Sequence, residues 1–129
     1  MKKKYRLLLV EDESAIRDAY SELFRLRGYE VEGAEDGADG VAKAESWQPD
    51  VVLMDIRMPV MNGIEAIRVL RGQPHTAGLL IFALTAHTDE KTCAAAEEAG
   101  ADGIFAKPPD LKLIDNTVRE ILLEQEVIV

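Results

Sequence analysis

Four stretches hold side chains able to do chemistry, and they lie far apart in the chain: Glu11-Asp12-Glu13, Asp55, Thr85 and Lys107. Each follows an apolar run: Leu7-Leu8-Leu9-Val10, Val51-Val52-Leu53-Met54, residues 79–84 and Gly103-Ile104-Phe105-Ala106. Continuous runs of branched apolar residues read as strands buried on both faces, as in a parallel sheet. The strand C-termini of such a sheet share one edge, and ligands bind in the crevice beyond them. The spacing therefore predicts that carboxylates, a hydroxyl and an ammonium meet in one cleft. A lone Asp at a strand end also commonly caps a turn, and acids in a first helical turn suit the helix dipole. Neither reading accounts for four complementary groups at four strand ends.

The chemistry follows from the residue types. Carboxylates crowded to 4 Å repel by about 4 kcal/mol per pair at an effective dielectric of 20. A divalent cation relieves that repulsion, and a few hard oxygen ligands suit Mg²⁺, which keeps several waters and often shares a phosphate. No cluster of His and Cys exists to recruit zinc. A lysine and a hydroxyl facing the same site suit phosphoryl oxygens. A carboxylate can itself be the nucleophile in phosphoryl transfer, giving an aspartyl-phosphate. Asp55 is the expected nucleophile.

The elements that position these groups alternate regularly. Tyr5 to Val10 predicts the first strand. Ile16, Tyr20, Leu23, Phe24 and Arg27 recur at helical spacing before a stop at Gly28. Tyr29-Glu30-Val31-Glu32 predicts a short, more exposed second strand, and Asp36-Gly37 opens a helix to about Trp47 that Gly40 weakens. After the central strand, Met58-Pro59 interrupts, and Asn62-Gly63 begins a third helix carrying Ile64, Ile67 and Leu70. His75, in the loop that follows, reads as solvated. A fourth helix of small residues spans about 89–99, with Cys93 read as packing. Asp110 caps a fifth helix whose Leu111, Ile114, Val118, Ile121 and Leu122 share one face. Residues 124–129 are read as a short C-terminal end. Crossovers of this length make right-handed βαβ units, so the expected fold is a doubly wound, three-layer α/β sandwich.

Composition narrows the function. At 129 residues the chain is expected to form a single domain, 1–129, behind a basic tail at 1–4. A net charge of −9 disfavours direct nucleic-acid binding, which needs Lys and Arg to displace counterions. No apolar run approaches the ~20 residues of a membrane helix. A single cysteine fits a reducing compartment, so a cytoplasmic protein is expected.

Val-Glu-Asp-Glu at 10–13, Met-Asp-Ile-Arg-Met-Pro-Val-Met-Asn-Gly at 54–63, Ala-Leu-Thr-Ala at 83–86 and Phe-Ala-Lys-Pro at 105–108 resemble the signatures of CheY-like response-regulator receiver domains of two-component systems. The resemblance spans nearly the whole chain. It implies a flavodoxin-like (βα)5 fold with strand order 2-1-3-4-5. It also implies Asp55 as phosphoacceptor, with Mg²⁺ held by Asp12, Asp55, the Arg57 backbone carbonyl and, through water, Glu11. Lys107 is then the phosphoryl partner and Thr85 the switch hydroxyl. Phe105 is the rotating aromatic, and Lys107-Pro108 a cis peptide. The phosphoryl donor is a histidine kinase or histidine phosphotransfer protein. Phosphorylation is expected to draw Thr85 inward, turn Phe105 into the vacated space, and reset a protein-binding face of the fourth helix, fifth strand and fifth helix. Glu11 stands where Asp is frequent, Pro109 makes a double proline, and Arg57 and His87 occupy variable positions.

Two rivals fare worse. An aspartate-nucleophile phosphatase wants Asp-x-Asp, but Ser14 stands two positions after Asp12 and Arg57 two after Asp55, so a turnover enzyme lacks its general acid. A nucleotide-binding module wants a glycine-rich loop after the first strand, where this chain has Glu11-Asp12-Glu13-Ser14. The chain is either a stand-alone regulator or a receiver from a larger hybrid kinase or transcription factor.

Overall fold

The computed structural model describes residues 4–57, 62–86 and 88–128, so most of the lysine tail, the Met58-Pro59 interruption, His87 and Val129 lie outside the described residues. The elements alternate as β1 (Arg6–Val10), α1 (Ser14–Leu26), β2 (Glu30–Ala34), α2 (Gly37–Trp47), β3 (Val51–Asp55), α3 (Gly63–Arg71), β4 (Leu80–Thr85), α4 (Glu90–Ala99), β5 (Gly103–Ala106) and α5 (Leu111–Ile128). All five strands pair in parallel, in the order β2-β1-β3-β4-β5. This is the expected (βα)5 sandwich, with β3 at the centre.

Alternation along the strands splits the core in two. Leu7, Leu9, Val51, Leu53, Leu80, Phe82 and Leu84 face Phe24 of α1 and Ile114, Val118 and Leu122 of α5. Leu8, Val10, Val52, Met54, Ile81 and Ala83 face Ala44 of α2, Ala66, Ile67 and Leu70 of α3, and Ala96 and Ala99 of α4. β3 and β4 are buried along their whole length, which is why they read as unbroken apolar runs. The register aligns Val10 with Met54, Met54 with Ala83 and Ala83 with Ile104. The strand ends are thereby brought level.

Two elements run further than expected. β2 continues to Ala34, because Gly33 and Ala34 pair with Leu9 and Val10 although neither looks like a strand former. α5 runs through residues first read as a C-terminal end. Leu122 is buried against the sheet and the Tyr5 hydroxyl bonds the Glu126 carboxylate, so contacts with other elements extend the helix.

The far end of the sheet is fastened by a polar network between α5 and the α1–β2 turn. Asp115 of α5, 8% exposed, accepts from the Tyr29 hydroxyl at 2.7 Å, Arg119 Nε at 2.7 Å and Arg27 Nη1 at 3.1 Å. Arg119 also lies over the Tyr29 ring, 4.7 Å from its centroid, and donates to the Arg27 carbonyl at 2.7 Å. Burial works to raise the Asp115 pKa, but the Tyr29 and arginine hydrogen bonds and the arginine charges prevail and hold it below its ordinary value.

The stabilisation from such a carboxylate is present above its unfolded-state pKa and is lost as pH falls through the folded value. Asp115→Asn is therefore expected to lower stability at pH 7 by roughly 2 kcal/mol, as for a lost hydrogen bond to a charged group. Urea midpoints of wild type and variant should converge as pH drops below about 4. A gap that persists undiminished at pH 3 would show that the Asp115 charge is not the source.

Candidate functional site

The site is built where β1, β3 and β5 end. Asp55 is the last residue of β3 and only 3% exposed. Glu11 directly follows β1 and is 2% exposed, its N–H completing the ladder to the Ala34 carbonyl at 2.9 Å. Two nearly buried carboxylates need a cation or donors, and Lys107 supplies the first. Its Nζ lies 2.9 Å from Asp55 Oδ2 and 3.0 Å from Glu11 Oε1. The other Asp55 oxygen accepts from the Arg57 N–H at 3.1 Å. Burial pulls the Lys107 pKa down, but hydrogen bonds and charge from Asp55 and Glu11 outweigh it and raise the value above normal. Lys107 is a firmly charged ammonium.

Asp12 completes an acidic cluster. It is exposed, yet one of its carboxylate oxygens lies within 4.8 Å of oxygens from Glu11 and Asp55. One ammonium faces three carboxylates, so the pocket keeps an excess of negative charge. The donor set is entirely carboxylate oxygen, which suits a hard cation such as Mg²⁺ and not zinc.

The turn after β3 is pinned by a close approach that only glycine permits. A Cβ on Gly63 would stand 2.2 Å from the Asp55 carbonyl oxygen and 2.7 Å from the Ile56 Cα, both backbone atoms. The Gly63 N–H instead donates to the Ile56 carbonyl at 2.9 Å, seating the start of α3 against the end of β3. Asn62 caps that helix through the Glu65 N–H at 2.9 Å. The sequence places Gly63 at a helix start and at the end of the 54–63 signature. Its closeness to Asp55 is a tertiary fact.

Thr85 ends β4 with 2% exposure and lines a cleft of about 320 Å³ with Ile56, Arg57, Ile64, Asp89, Lys91, Thr92 and Ala95. This cleft lies between the starts of α3 and α4 and is lined by the two residues that follow Asp55. The Lys107–Pro108 bond is cis, and Asp110 accepts from the Leu113 N–H at 3.1 Å, so the double proline leads straight into α5.

Phe105 requires a correction. It is 9% exposed and packs on Phe82, ring centroids 4.8 Å apart, in the core shared with α1 and α5. It pairs with Leu84, whereas Thr85 pairs with Ala106. Because successive side chains point to opposite faces, Phe105 and Thr85 lie on opposite sides of the sheet. Ile104, packed against the α2–α4 side, is the large β5 residue on Thr85's face. The coupling of Thr85 to Phe105 therefore does not hold in this fold.

Comparison with known proteins agrees with this architecture. The chain belongs to the response regulator receiver domain family, whose model matches residues 7–119. It is a CheY-like receiver of the kind found in two-component systems. Protein PilH of Pseudomonas aeruginosa is 33% identical over 117 residues, covering 91% of this chain and 97% of that protein. Regulatory protein AtoC of Escherichia coli is 35% identical over 122 residues; the match covers 95% of this chain but only 26% of AtoC. Among solved structures, the receiver domain of sensor histidine kinase PA1611 from P. aeruginosa PAO1, with a magnesium ion coordinated in its active site cleft, superposes with a TM-score of 0.84 at 30% identity. That match covers 92% of this chain and 97% of that one.

The imbalance of charge makes opposite predictions for two variants in metal-free buffer. Asp12→Asn removes one of three crowded like charges and is expected to raise the urea midpoint. Lys107→Met strands two buried carboxylates and is expected to lower stability by about 3 kcal/mol, as when one partner of a buried pair is removed. If both variants shift the same way, the cluster is not electrostatically strained.

Proposed function

We propose that this domain accepts one phosphoryl group on Asp55, from a histidine kinase or histidine phosphotransfer protein, and thereby switches a protein-binding face. The observation that carries the reading is the contact of Lys107 Nζ with Asp55 Oδ2 at 2.9 Å, beside the Glu11–Asp12 pair. A near-buried carboxylate is thus held next to both a fixed cation and an acidic pocket.

The chain's own residues account for the steps. A carboxylate oxygen of Asp55 attacks phosphorus, forming a P–O bond as the donor's P–N bond, or an acyl phosphate's P–O bond, breaks. The Arg57 N–H and Lys107 hold the attacking group in place. Lys107, already between Glu11 and Asp55, can transfer a hydrogen bond to a phosphoryl oxygen and offset its charge. The cleft lined by Thr85 and Arg57 gives the donor its approach. Mg²⁺, when bound through Asp12, Asp55, the Arg57 carbonyl and, by way of water, Glu11, supplies the positive charge that phosphoryl oxygens and carboxylates share. Each molecule carries its own acceptor, so the reaction is a self-modification and not turnover on a separate substrate.

For the readout, phosphorylation adds negative charge and acceptor oxygens. Thr85 and Lys107 are the donors placed to meet them. Thr85, Ala106 and Ile104 share the sheet face toward α4, where Ala96 and Ala99 are the buried contacts. A helix seated on alanines has little bulk to anchor it, so a small movement of Thr85 can bias α4 between two positions. The α4-β5-α5 face is the proposed docking surface for a downstream protein. The net charge of −9 argues for a protein partner over nucleic acid, and the lone Cys93 for a cytoplasmic setting. Among the described residues no helix is long and apolar enough to cross a membrane.

Acetyl phosphate with millimolar Mg²⁺ is expected to add one phosphoryl group to the wild type and none to Asp55→Asn, read by intact mass spectrometry. An equal adduct on the variant would place the nucleophile elsewhere. Millimolar Mg²⁺ alone is expected to raise the wild-type melting temperature, and Asp12→Asn to lose most of that rise. A full rise in the variant would remove Asp12 from the ligand set.

A further inference from the structure

The turn that carries Glu11 and Asp12 lacks the fastening found at the other helix starts. α2, α3 and α4 are capped by the side chains of Asp36, Asn62 and Asp89, which accept from the backbone N–H groups of Asp39, Glu65 and Thr92. At α1 the N-cap residue is Glu13, and its side chain makes no capping bond. The Glu13 N–H donates instead to Glu11 Oε2 at 3.3 Å, a long contact.

What holds this turn comes from one helical turn further on. Arg17 Nη1 donates to the Glu11 carbonyl oxygen at 2.7 Å. To reach it, the Arg17 stem crosses β2 at Gly33. A Cβ at residue 33 would stand 2.9 Å from Arg17 Cδ, 3.1 Å from Cγ and 3.4 Å from Nε. Gly33 and Val31 lie on the α1 side of β2, while Ala34 faces α2, so the missing side chain opens a channel that the arginine fills. A glycine in a strand interior is unfavourable. Here it admits a charged side chain to the backbone of a turn bearing two of the three acids.

We propose that Arg17, seated in the groove left by Gly33, is a positioning residue for metal binding. It fixes the Glu11 backbone and so sets the directions in which the Glu11 and Asp12 carboxylates point. The inference rests on the reading of those acids as Mg²⁺ ligands. It adds a residue that touches neither metal nor phosphoryl group. Residues that orient ligands in this way typically change metal affinity by 10- to 100-fold when removed.

The geometry allows a test in which one substitution acts only through the other. In Gly33→Ala the three atoms nearest the added methyl all belong to the flexible Arg17 side chain, so the substitution is expected to displace Arg17 and leave the strand in place. Mg²⁺ is titrated by calorimetry into four full-length forms: wild type, Arg17→Ala, Gly33→Ala and the double variant. Each single variant is expected to bind Mg²⁺ about tenfold more weakly. The double variant should match Arg17→Ala, because the residue 33 methyl then has nothing to displace. Melting curves in chelator are expected to stay close together, which separates positioning from a general loss of fold; Arg17→Lys, which keeps a donor, is expected to recover part of the affinity. Wild-type affinity in Arg17→Ala overturns the proposal, as does a further loss in the double variant, which would mean Gly33 acts on its own. Should wild type itself bind no Mg²⁺, the underlying reading of the acidic cluster fails instead.

Discussion

Lys107 makes a single ionic junction to Glu11 and Asp55, and the site depends on it. Lys107 and Glu11 directly follow β5 and β1, Asp55 ends β3, and β3 lies between β1 and β4. A parallel sheet delivers such ends to one edge by its topology. Keeping two nearly buried carboxylates there is another matter, because a buried charge without a partner is costly. The ammonium gives both a partner without closing the pocket. Asp12 stays exposed at its rim, and negative charge remains in excess. Such an excess of carboxylate oxygen suits a hard cation.

The surrounding packing serves this edge. Gly63 brings the start of α3 against the Asp55 backbone, and Arg17 brings α1 against the Glu11 backbone. The two acids are thus braced from opposite faces of the sheet by adjacent helices. At the other end Asp115, Tyr29, Arg27 and Arg119 fasten α5 to the α1–β2 turn. Asp115 and Arg119 belong to the first half of α5, so the helix is anchored within two or three turns of the start that follows Lys107 and the two prolines.

The features legible in the sequence were those written as local patterns. Apolar runs that stop at Asp55, Thr85 and Lys107 marked strand ends, and helical spacing with Asp36, Asn62, Asp89 and Asp110 marked helix starts. The ladder continued through Gly33 and Ala34, which no strand propensity favours, because pairing with β1 decides it. The facing of Phe105 was misjudged for a related reason. The short run Gly103-Ile104-Phe105-Ala106 has no polar alternation to say which side is which, so only the pairing with Leu84 assigns it. Arg17 lies inside α1 and Gly33 inside β2, and no local pattern singles out either residue. Their relation spans three elements, and no spacing within the chain encodes it.

The placement of Lys107 also bears on when the molecule becomes competent during folding. The acids of the pocket lie at residues 11, 12 and 55, whereas their counter-ion arrives only with β5 at residue 107. A chain that has paired β1, β2 and β3 but not yet β5 holds the carboxylates together with no ammonium between them. Parallel pairings close only through long crossovers, so such late steps are slow. The bridged carboxylates are therefore complete only when β5, the edge strand, is paired and Lys107 stands between Glu11 and Asp55.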